Sequence, residues 1–419
     1  MLLNSKPSRY LLLLLICFFF GGCQAITNSS NHSKPSLISE YSEDMSKYFA
    51  SPILENAIRE KLGLSESEPL TRKQLSKITY LKLSSTKLSN LDGIEYLTNL
   101  KDLDLSNNQI SDLTPLAELS NITDLDLSNN QISDLNPLNK LSNLTELDVS
   151  SNQINDLTSL PESTNLRFLI LSSNQINDLT PLTKLSNLER IWLSNNQISD
   201  VTPLAELSNL VELNLYSNQI NNVTPLAELK NLKILLLYGN SINNITSLVK
   251  LNNLEGLDLS NNQISDISLL AKLTNLTFLN LSDNQISDIS SLATLSNLTN
   301  LHLSNNQISD ISPLAGLTNL LSLFLYDNQI SDISPLVELT NLKDLYLSDN
   351  QISNITPLVE LNDLMKLDLS DNQITDLTPL SKLNNLSRLN LKNNLIINFE
   401  PIENLAEECV GCEISAQNL

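Results

Sequence analysis

A repeat of fixed length fills most of this 419-residue chain. Fifteen consecutive segments of 22 residues follow one another from Ile78 without insertion or deletion, and the most regular reads LKDLDLSNNQISDLTPLAELSN, from Leu100 to Asn121. One such unit is too short to bury its own apolar side chains, so it must stack on its neighbours. The sequence therefore predicts a solenoid, an architecture that presents broad surfaces for binding and seldom encloses a catalytic pocket.

The positions within one unit have distinct expected roles. Leu103 and Leu105 alternate with polar residues in the two-residue period of a strand, so successive units should form one parallel sheet with leucines inward. An asparagine such as Asn108 recurs in nearly every unit, and its amide can satisfy the backbone of adjacent turns. Further along, we expect Thr114 to cap a short helical turn whose first position suits Pro115.

These residues resemble the leucine-rich repeat superfamily in its 22-residue, internalin-type class. The motif LxxLxLxxNxIxDLxPLxxLxxL is matched in nearly every unit over residues 78–407. The resemblance implies an α/β solenoid, a leucine-rich repeat horseshoe of about 15 repeats with one parallel concave sheet, a convex side of 3₁₀ turns and a small helical N-terminal cap. The preceding segments, SPILENAIREKLGL and EPLTRKQLSKITYLKL, are similar to the amino-terminal cap of bacterial internalin-like proteins.

The first residues have the composition of an export signal. A basic start precedes an apolar stretch, Leu11 to Phe20, that is too short to span a bilayer, and small residues then lead to Cys23. The order Phe-Gly-Gly-Cys resembles a bacterial lipobox, which implies that Cys23 is lipidated. The alternative is an ordinary signal peptide with Cys23 incidental. Gln24 after the cysteine favours the outer membrane where the cell has one.

Composition also sets the boundaries along the chain. We predict a lipoprotein-type signal peptide over residues 1–22, a flexible polar tether over 23–47, a helical cap over 48–77, leucine-rich repeats over 78–407 and a C-terminal cap or tail over 408–419.

Two segments near the ends carry local signals. In the N-terminal cap, Ser51 precedes a helix that should end at Gly63, and Thr71 with Gln74 predicts a capping box. In the C-terminal tail, Cys409 and Cys412 could close a small disulfide loop, with an inert role as the alternative.

Charge and motifs exclude several classes of function. The formal net charge is −22, whereas nucleic acids and anionic headgroups need a cationic surface, so we expect neither and limit membrane contact to the lipid anchor. Only His32 and His302 are present, and G-x-S-x-G, H-E-x-x-H and glycine-rich phosphate motifs are lacking, so we expect no enzyme and no cofactor. The aspartate column Asp327, Asp349 and Asp371 could hold Ca²⁺, but solvated turn residues are the favoured interpretation and no metal site is predicted.

Aromatic residues indicate where a ligand would bind. Nine of the eleven Phe, Trp and Tyr residues from Ile78 onward fall on outward strand positions, and such residues give large contact areas at low entropic cost. High strand propensity alone is the alternative explanation. The predicted ligand-binding residues are Phe168, Ile170, Arg190, Trp192, Glu212, Tyr216, Ile234, Leu236 and Tyr238 in repeats five to eight, the first cluster, and Phe278, His302, Phe324, Tyr326 and Tyr346 in repeats ten to thirteen, the second cluster. An acidic stretch in repeats two to four should attract a basic segment of a partner.

Three functions follow in order of preference. The first is a non-catalytic, envelope-anchored module that binds a protein through its concave face, and the resemblance to internalins implies adhesion to a host or neighbouring-cell surface protein, with a glycan as the alternative ligand. The second is a structural envelope component or spacer without a dedicated ligand. The third is an enzyme or enzyme inhibitor based on carboxylates. The protein is expected in the cell envelope if Cys23 is lipidated and outside the cell otherwise.

Overall fold

The computed structural model describes residues 43–161 and 163–403, and its strands form one parallel sheet in chain order. The strands are β1 (Tyr80–Lys82), β2 (Asp102–Asp104), β3 (Asp124–Asp126), β4 (Glu146–Asp148), β5 (Phe168–Ile170), β6 (Arg190–Trp192), β7 (Glu212–Asn214), β8 (Ile234–Leu236), β9 (Gly256–Asp258), β10 (Phe278–Asn280), β11 (Asn300–His302), β12 (Ser322–Phe324), β13 (Asp344–Tyr346), β14 (Lys366–Asp368) and β15 (Arg388–Asn390). The predicted solenoid of fifteen repeats is confirmed. The predictions for Cys23, Cys409 and Cys412 lie outside the described residues.

Strand pairing keeps the 22-residue register throughout. Leu81 pairs with Leu103, Leu103 pairs with Leu125, and the same step recurs as far as β15. The central residue of every strand is buried, and its two neighbours face the other way because strand side chains alternate. One wall of the sheet is therefore a stack of leucines, with Ile191 as the one exception among the central strand residues, and the opposite wall carries the variable side chains.

The interior consists almost entirely of leucine and isoleucine. Leu100, Leu105, Ile110 and Leu116 in the second repeat are all 0% exposed, and each later repeat contributes an equivalent layer. Each such side chain contributes roughly 1.5–3 kcal/mol of gross transfer free energy, which chain ordering largely offsets. A single repeat supplies one layer only, so the array is stable as a stack.

The wall opposite the sheet is made of 3₁₀ helices, as predicted. They are Ile94–Tyr96, Thr114–Leu116, Asn136–Leu138, Thr180–Lys184, Thr202–Glu206, Thr224–Glu228, Thr246–Lys250, Ser268–Lys272, Ser290–Thr294, Ser312–Leu314, Ser334–Leu336, Thr356–Leu358, Thr378–Leu380 and Glu400–Ile402. The predicted capping role of Thr114 was wrong. Thr114 is itself the first helical residue, and its N–H donates to Oδ1 of Asp112 at 2.8 Å, so the aspartate supplies the cap.

The fourth repeat departs from this pattern at residues 158–160. The chain forms a turn there instead of a 3₁₀ helix, and Ser163 occupies the position of a core leucine. The Ser163 hydroxyl donates to the carbonyls of Ser142 and Leu144 at 2.8 and 2.9 Å, so the buried oxygen is fully paired.

Two short helices cover the leucine edge of the first repeat. Helix α1 (Pro52–Leu62) follows Ser51 and ends at Gly63 in the left-handed conformation, and helix α2 (Arg72–Leu75) begins with the predicted capping box. Leu54 and Ile58 point into the core and are fully buried. Terminal repeats need such a cover because they lack a neighbour on one side.

The N-terminal cap begins before residue 48, where the sequence placed the end of a tether. A 3₁₀ helix spans Ser46–Tyr48, and Met45 is fully buried. Phe49 packs so closely on Gly93, whose φ is 104°, that a Cβ atom at Gly93 would collide with the ring. The cap thus extends into the segment predicted to be a polar tether. The average composition of that segment did not indicate that an apolar residue such as Met45 is buried in the cap.

Arg59 holds the cap together. It is 6% exposed and donates to Oε1 of Glu55 at 2.8 Å, to the carbonyls of Ser65 and Glu68 at 2.9 and 2.7 Å, and to the hydroxyl of Ser46 at 2.6 Å. Within residues 43–161 and 163–403, no helix has the length and apolar character needed to cross a bilayer.

Candidate functional site

An asparagine ladder fixes the turn that follows each strand. The amide of Asn284 donates to the carbonyls of Leu259 and Leu281 at 3.0 and 3.1 Å, and its oxygen accepts from the N–H of Ile264 at 2.9 Å. Equivalent bonds recur from Asn108 to Asn394. The predicted structural role of this asparagine is confirmed, and the ladder holds the outward strand residues in a fixed array.

The residue before the ladder adopts a left-handed conformation in every repeat. Asp327, Asp349 and Asp371 belong to this column, with φ of 54–55°, a region that aspartate and asparagine enter more readily than most residues. The feature that these three aspartates share is therefore the left-handed backbone conformation of the turn. Among the residues that the structure describes, no group of three or more acidic, histidine or cysteine side chains is arranged to hold a metal ion.

A second asparagine ladder, which the sequence analysis missed, runs beside the start of the strands. Asn209 and Asn231 each donate to the carbonyl 23 residues earlier at 2.9 Å, and the same bond recurs through most repeats. The Asn-Leu pair that precedes most strands was the signal available in the sequence. An open groove of about 650 Å³ lies along this ladder, and its charged residues Lys233 and Glu255 pair with each other at 2.8 Å.

All residues of the first cluster lie on the outward face of β5 to β8 or just beyond the strand ends. One row of strand partners contains Phe168, Arg190, Glu212 and Ile234. The next row contains Ile170, Trp192 and Leu236. Two further residues, Tyr216 and Tyr238, follow the ends of β7 and β8. Neighbouring strands are about 4.8 Å apart, so the cluster spans about 15 Å between its outer strands. The rings form two T-shaped pairs, Phe168 with Trp192 at 5.2 Å and Tyr216 with Tyr238 at 5.9 Å between centroids.

Glu212 has a central place in the first cluster. It accepts a hydrogen bond from the indole of Trp192, and its other oxygen lies 3.7 Å from Nε of Arg190. The side chain is only 16% exposed, so it holds its neighbours more than it offers itself to a ligand. Tyr216 is also positioned, since its hydroxyl accepts from Asn195 at 3.2 Å.

The second cluster forms a continuous row of rings across β10 to β13. Phe278 lies 5.5 Å from His302, His302 lies 4.2 Å from Phe324, and Phe324 stacks on Tyr346 at 4.6 Å with an interplanar angle of 11°. Tyr326 follows β12 beside this row and is half-buried. Burial lowers the pKa of His302 below its ordinary value of 6.5, although the charge of Asp258 acts in the opposite direction.

Strand β9 separates the two clusters. Its outward residues are Gly256 and Asp258, so the aromatic and aliphatic surface is interrupted there. The structure brings the predicted residues onto one face, but in two clusters with a polar gap between them. Their role in binding stays a prediction.

Repeats two to four carry an acidic patch on the same face. It consists of two rows of strand partners, Asp102, Asp124 and Glu146 in one and Asp104, Asp126 and Asp148 in the other. Burial, and then the charges of Asp124 and Asp104, raise the pKa of Asp102. Burial would also raise the pKa of Asp104, but hydrogen bonds from Ser106 and the Lys82 ammonium, 3.0 Å away, lower it overall. The patch therefore combines carboxylates that repel one another.

Comparison with known proteins gives a consistent picture. The sequence model described as Leucine Rich repeats (2 copies) matches residues 76–118, 120–162, 164–206, 252–294, 296–338, 318–360 and 364–406. No curated protein matches the chain.

Solved structures add relatives of known organism. An internalin (InlF) from Listeria monocytogenes is 34% identical, with 89% of this chain and 98% of that chain covered and a TM-score of 0.61. A leucine-rich repeat protein of Leptospira interrogans is 27% identical, with 82% and 97% covered and a TM-score of 0.72. The functional domain of InlJ from Listeria monocytogenes, 24% identical with 86% and 78% covered and a TM-score of 0.73, supports the fold.

Proposed function

The chain belongs to the leucine-rich repeat family in an internalin-like form, and from this we propose that it is a non-catalytic module that binds a protein on the outward face of its sheet. The first cluster is the observation that carries the proposal. Its aromatic and aliphatic side chains lie on one rigid wall, and Glu212 already orients Trp192 before any ligand binds. Side chains held in place lose little entropy on binding.

The arrangement of the rings favours a protein partner over a glycan. In the second cluster, Phe324 stacks on Tyr346 and is flanked by His302 on its other side, so little of its ring face is open. A sugar would need an open ring face, whereas the side chains of a protein can pack against edges. The first and second clusters together extend across β5 to β13, about 38 Å at 4.8 Å per strand, which is enough for a protein interface of standard size.

The acidic patch would act mainly on the rate of association. Six carboxylates on β2 to β4 attract a basic segment of the partner over a distance of about one Debye length, roughly 8–10 Å at physiological salt. Binding should therefore slow as salt rises, while contacts at the first cluster set the dissociation rate.

We also propose that the protein is exported and held in the cell envelope by a lipid on Cys23, in the outer membrane where one exists. The apolar stretch and the Phe-Gly-Gly-Cys sequence support this. A host or neighbouring-cell surface protein is then the expected partner, and adhesion the expected role. A structural spacer without a ligand is the alternative, and it leaves the clustering of aromatic residues without a function.

Photocrosslinking on living cells tests the proposal. A photoreactive amino acid at position 192 should capture a defined partner, whereas the same group at Glu338, exposed on the opposite wall, should not. Trp192→Ala combined with Tyr216→Ala should reduce the amount of that partner recovered in a pull-down by roughly tenfold or more. Tyr80→Ala, which removes an exposed aromatic of β1, is the matched control. Equal capture from both positions, or full capture by the double variant, would support the spacer.

A further inference from the structure

Strand β9 leaves a gap in the outward face between the two clusters. Gly256 pairs with Ile234 on one side and with Phe278 on the other, so two apolar side chains flank a position that has none. The two flanking backbones are about 10 Å apart, twice the strand spacing. A Cβ atom on Gly256 would meet only Cγ1 of Ile234 within 4 Å, at 3.8 Å.

The backbone does not require glycine at this position. Gly256 lies inside a regular strand and has no positive φ, unlike Gly239 in the neighbouring turn. Every other strand carries a side chain in the same column. The missing side chain is thus a feature of the surface: it opens a slot with an aliphatic wall and an aromatic wall.

A carboxylate lies at one end of the slot. Asp258 is on the same face of β9, about 7 Å from Gly256 along the strand. One oxygen accepts from the backbone N–H of Ser260 at 2.9 Å and from its hydroxyl, and the other accepts from the amide of Asn280 at 3.2 Å. These donors are neutral, and within residues 43–161 and 163–403 Asp258 takes part in no ion pair. The nearby Lys233 is already paired with Glu255.

We propose that Gly256 and Asp258 form a subsite for one lysine or arginine side chain of the protein partner. This inference rests on the proposed function, since it names a chemical feature of that partner. The aliphatic stem of the side chain lies in the slot between Ile234 and Phe278, and its charged end reaches Asp258. A charge-assisted hydrogen bond to a carboxylate held in place by neutral donors is stronger than a neutral one.

The subsite also sets the register of the partner on the sheet. The first cluster on one side and the second cluster on the other accept apolar side chains, and the slot between them accepts the single cation. A partner segment with a basic residue flanked by apolar ones fits this order, while a uniformly apolar segment leaves Asp258 desolvated without a counter-charge, which is unfavourable.

Small probes test the subsite without knowledge of the partner. The full chain contains eight glycines, so labelling with ¹⁵N-glycine gives a simple spectrum in which Gly256 is identified by its loss in Gly256→Ala. N-acetyl-arginine methylamide and N-acetyl-lysine methylamide should shift the Gly256 signal saturably. The neutral citrulline and norleucine analogues should not, and the Gly316 signal from the opposite wall should stay constant.

Asp258→Asn is the decisive variant. Asparagine occupies the equivalent position at Asn214 and Asn280, where it accepts the N–H two residues later at 3.1 Å, so the turn should remain intact. In this variant the affinity of the arginine and lysine probes, measured from the Gly256 shift, should fall by roughly tenfold or more. That is the loss expected when a charge-assisted bond is removed. An unmoved Gly256 signal, an equal shift with the citrulline analogue, or a full shift in Asp258→Asn would overturn the subsite.

The same variants separate this inference from the proposed function. Trp192→Ala with Tyr216→Ala should leave the probe shifts unchanged, because Trp192 lies three strands from β9. Gly256→Leu, which fills the slot, should reduce capture of the partner by roughly tenfold, whereas Gly316→Leu should not. Capture that survives Gly256→Leu contradicts the subsite alone. Probe binding without any capture by the unmodified chain contradicts the proposed function alone.

Discussion

The indole Nε1 of Trp192 donates a hydrogen bond to Oε1 of Glu212, 2.9 Å away on the next strand. Trp192 is the only tryptophan in the chain, so its fluorescence reports on this contact directly. The bond joins β6 to β7 on the face where we expect the partner. A largely buried glutamate thus fixes the orientation of the largest aromatic side chain of the first cluster.

Glu212→Ala should release the indole. We expect greater quenching of Trp192 fluorescence by acrylamide and weaker capture of the partner, by about tenfold, because a mobile ring loses entropy when it binds. Steady-state quenching measures the first effect, and the amount of partner recovered in a pull-down measures the second. Glu189→Ala removes an exposed carboxylate that pairs with Arg167 nearby and serves as the control. Quenching that is the same in both variants would contradict the orienting role.

The first asparagine ladder should contribute more to stability than the second. Asn284→Ala removes the acceptor for the Ile264 N–H and the amide that donates to the Leu259 and Leu281 carbonyls. Each buried group left unpaired costs about 1–3 kcal/mol. We therefore expect a loss of roughly 2–4 kcal/mol in urea unfolding. Asn297→Ala, in the exposed second ladder, should cost about 0.5–1.5 kcal/mol.

Gln285→Ala is the matched control for the ladder, because Gln285 is exposed beside Asn284. Its effect should stay within about 0.5 kcal/mol. Equal losses for Asn284→Ala and Asn297→Ala would show that burial of the ladder does not determine its energy.

His302 should titrate below pH 6.5. Burial between Phe278 and Phe324 depresses its pKa in the folded protein, so between the folded and unfolded pKa values the unfolded chain binds more protons. Stability therefore rises with pH in that window and is lost as pH falls below 6.5. NMR titration of the imidazole measures the pKa. His302→Asn should lose less stability than the unmodified chain between pH 7 and pH 5, and an equal loss would contradict this.

The aspartate column should destabilise the chain at low salt. Asp327, Asp349 and Asp371 lie on adjacent repeats about 5 Å apart, and changing all three to asparagine keeps a residue suited to the left-handed turn. The triple variant should melt at a higher temperature than the unmodified chain in low salt, and the difference should shrink near 1 M salt, where the Debye length is about 3 Å. A rise in the melting temperature of the unmodified chain with millimolar Ca²⁺, absent from the variant, would favour a metal site instead.

Arg59→Leu should destabilise the N-terminal cap. It leaves the Glu55 carboxylate and the carbonyls of Ser65 and Glu68 without their donor, for a loss of roughly 2–4 kcal/mol. Hydrogen exchange should accelerate in α1 and β1 but not in β10 to β13, because repeats contact only their neighbours. Lys73→Ala, on an exposed position of α2, is the control. Uniform acceleration along the sheet would argue for a single cooperative unit.

The sequence predicted the fold well because its period is a physical constraint: leucines 22 residues apart can be buried only by stacking. Local capping was harder to predict. Thr114 and Asp112 are both good capping residues, and only the geometry of the turn shows that the carboxylate accepts and the threonine N–H donates. Likewise, Met45 belongs to the cap through packing that the polar composition of its neighbours concealed.

The site was predicted in part. Alternation along the strands placed Trp192 and Tyr346 on the outward face, yet their partners depend on side-chain conformation, which periodicity does not determine. Only the three-dimensional structure reveals the bond between Trp192 and Glu212 and the gap at Gly256. A glycine inside a strand usually weakens the sheet. Here, Gly256 leaves a slot between the side chains of Ile234 and Phe278.

The unbroken pairing of every strand with its neighbours has an evolutionary consequence. Since all units share one length and one interface, an exchange of DNA between misaligned repeats would add or remove whole rungs without harming the core. The separation of the two clusters would then change in fixed steps of about 4.8 Å. Related chains would thus match partners of different size through a different number of repeats between the clusters, while each cluster itself stays unaltered.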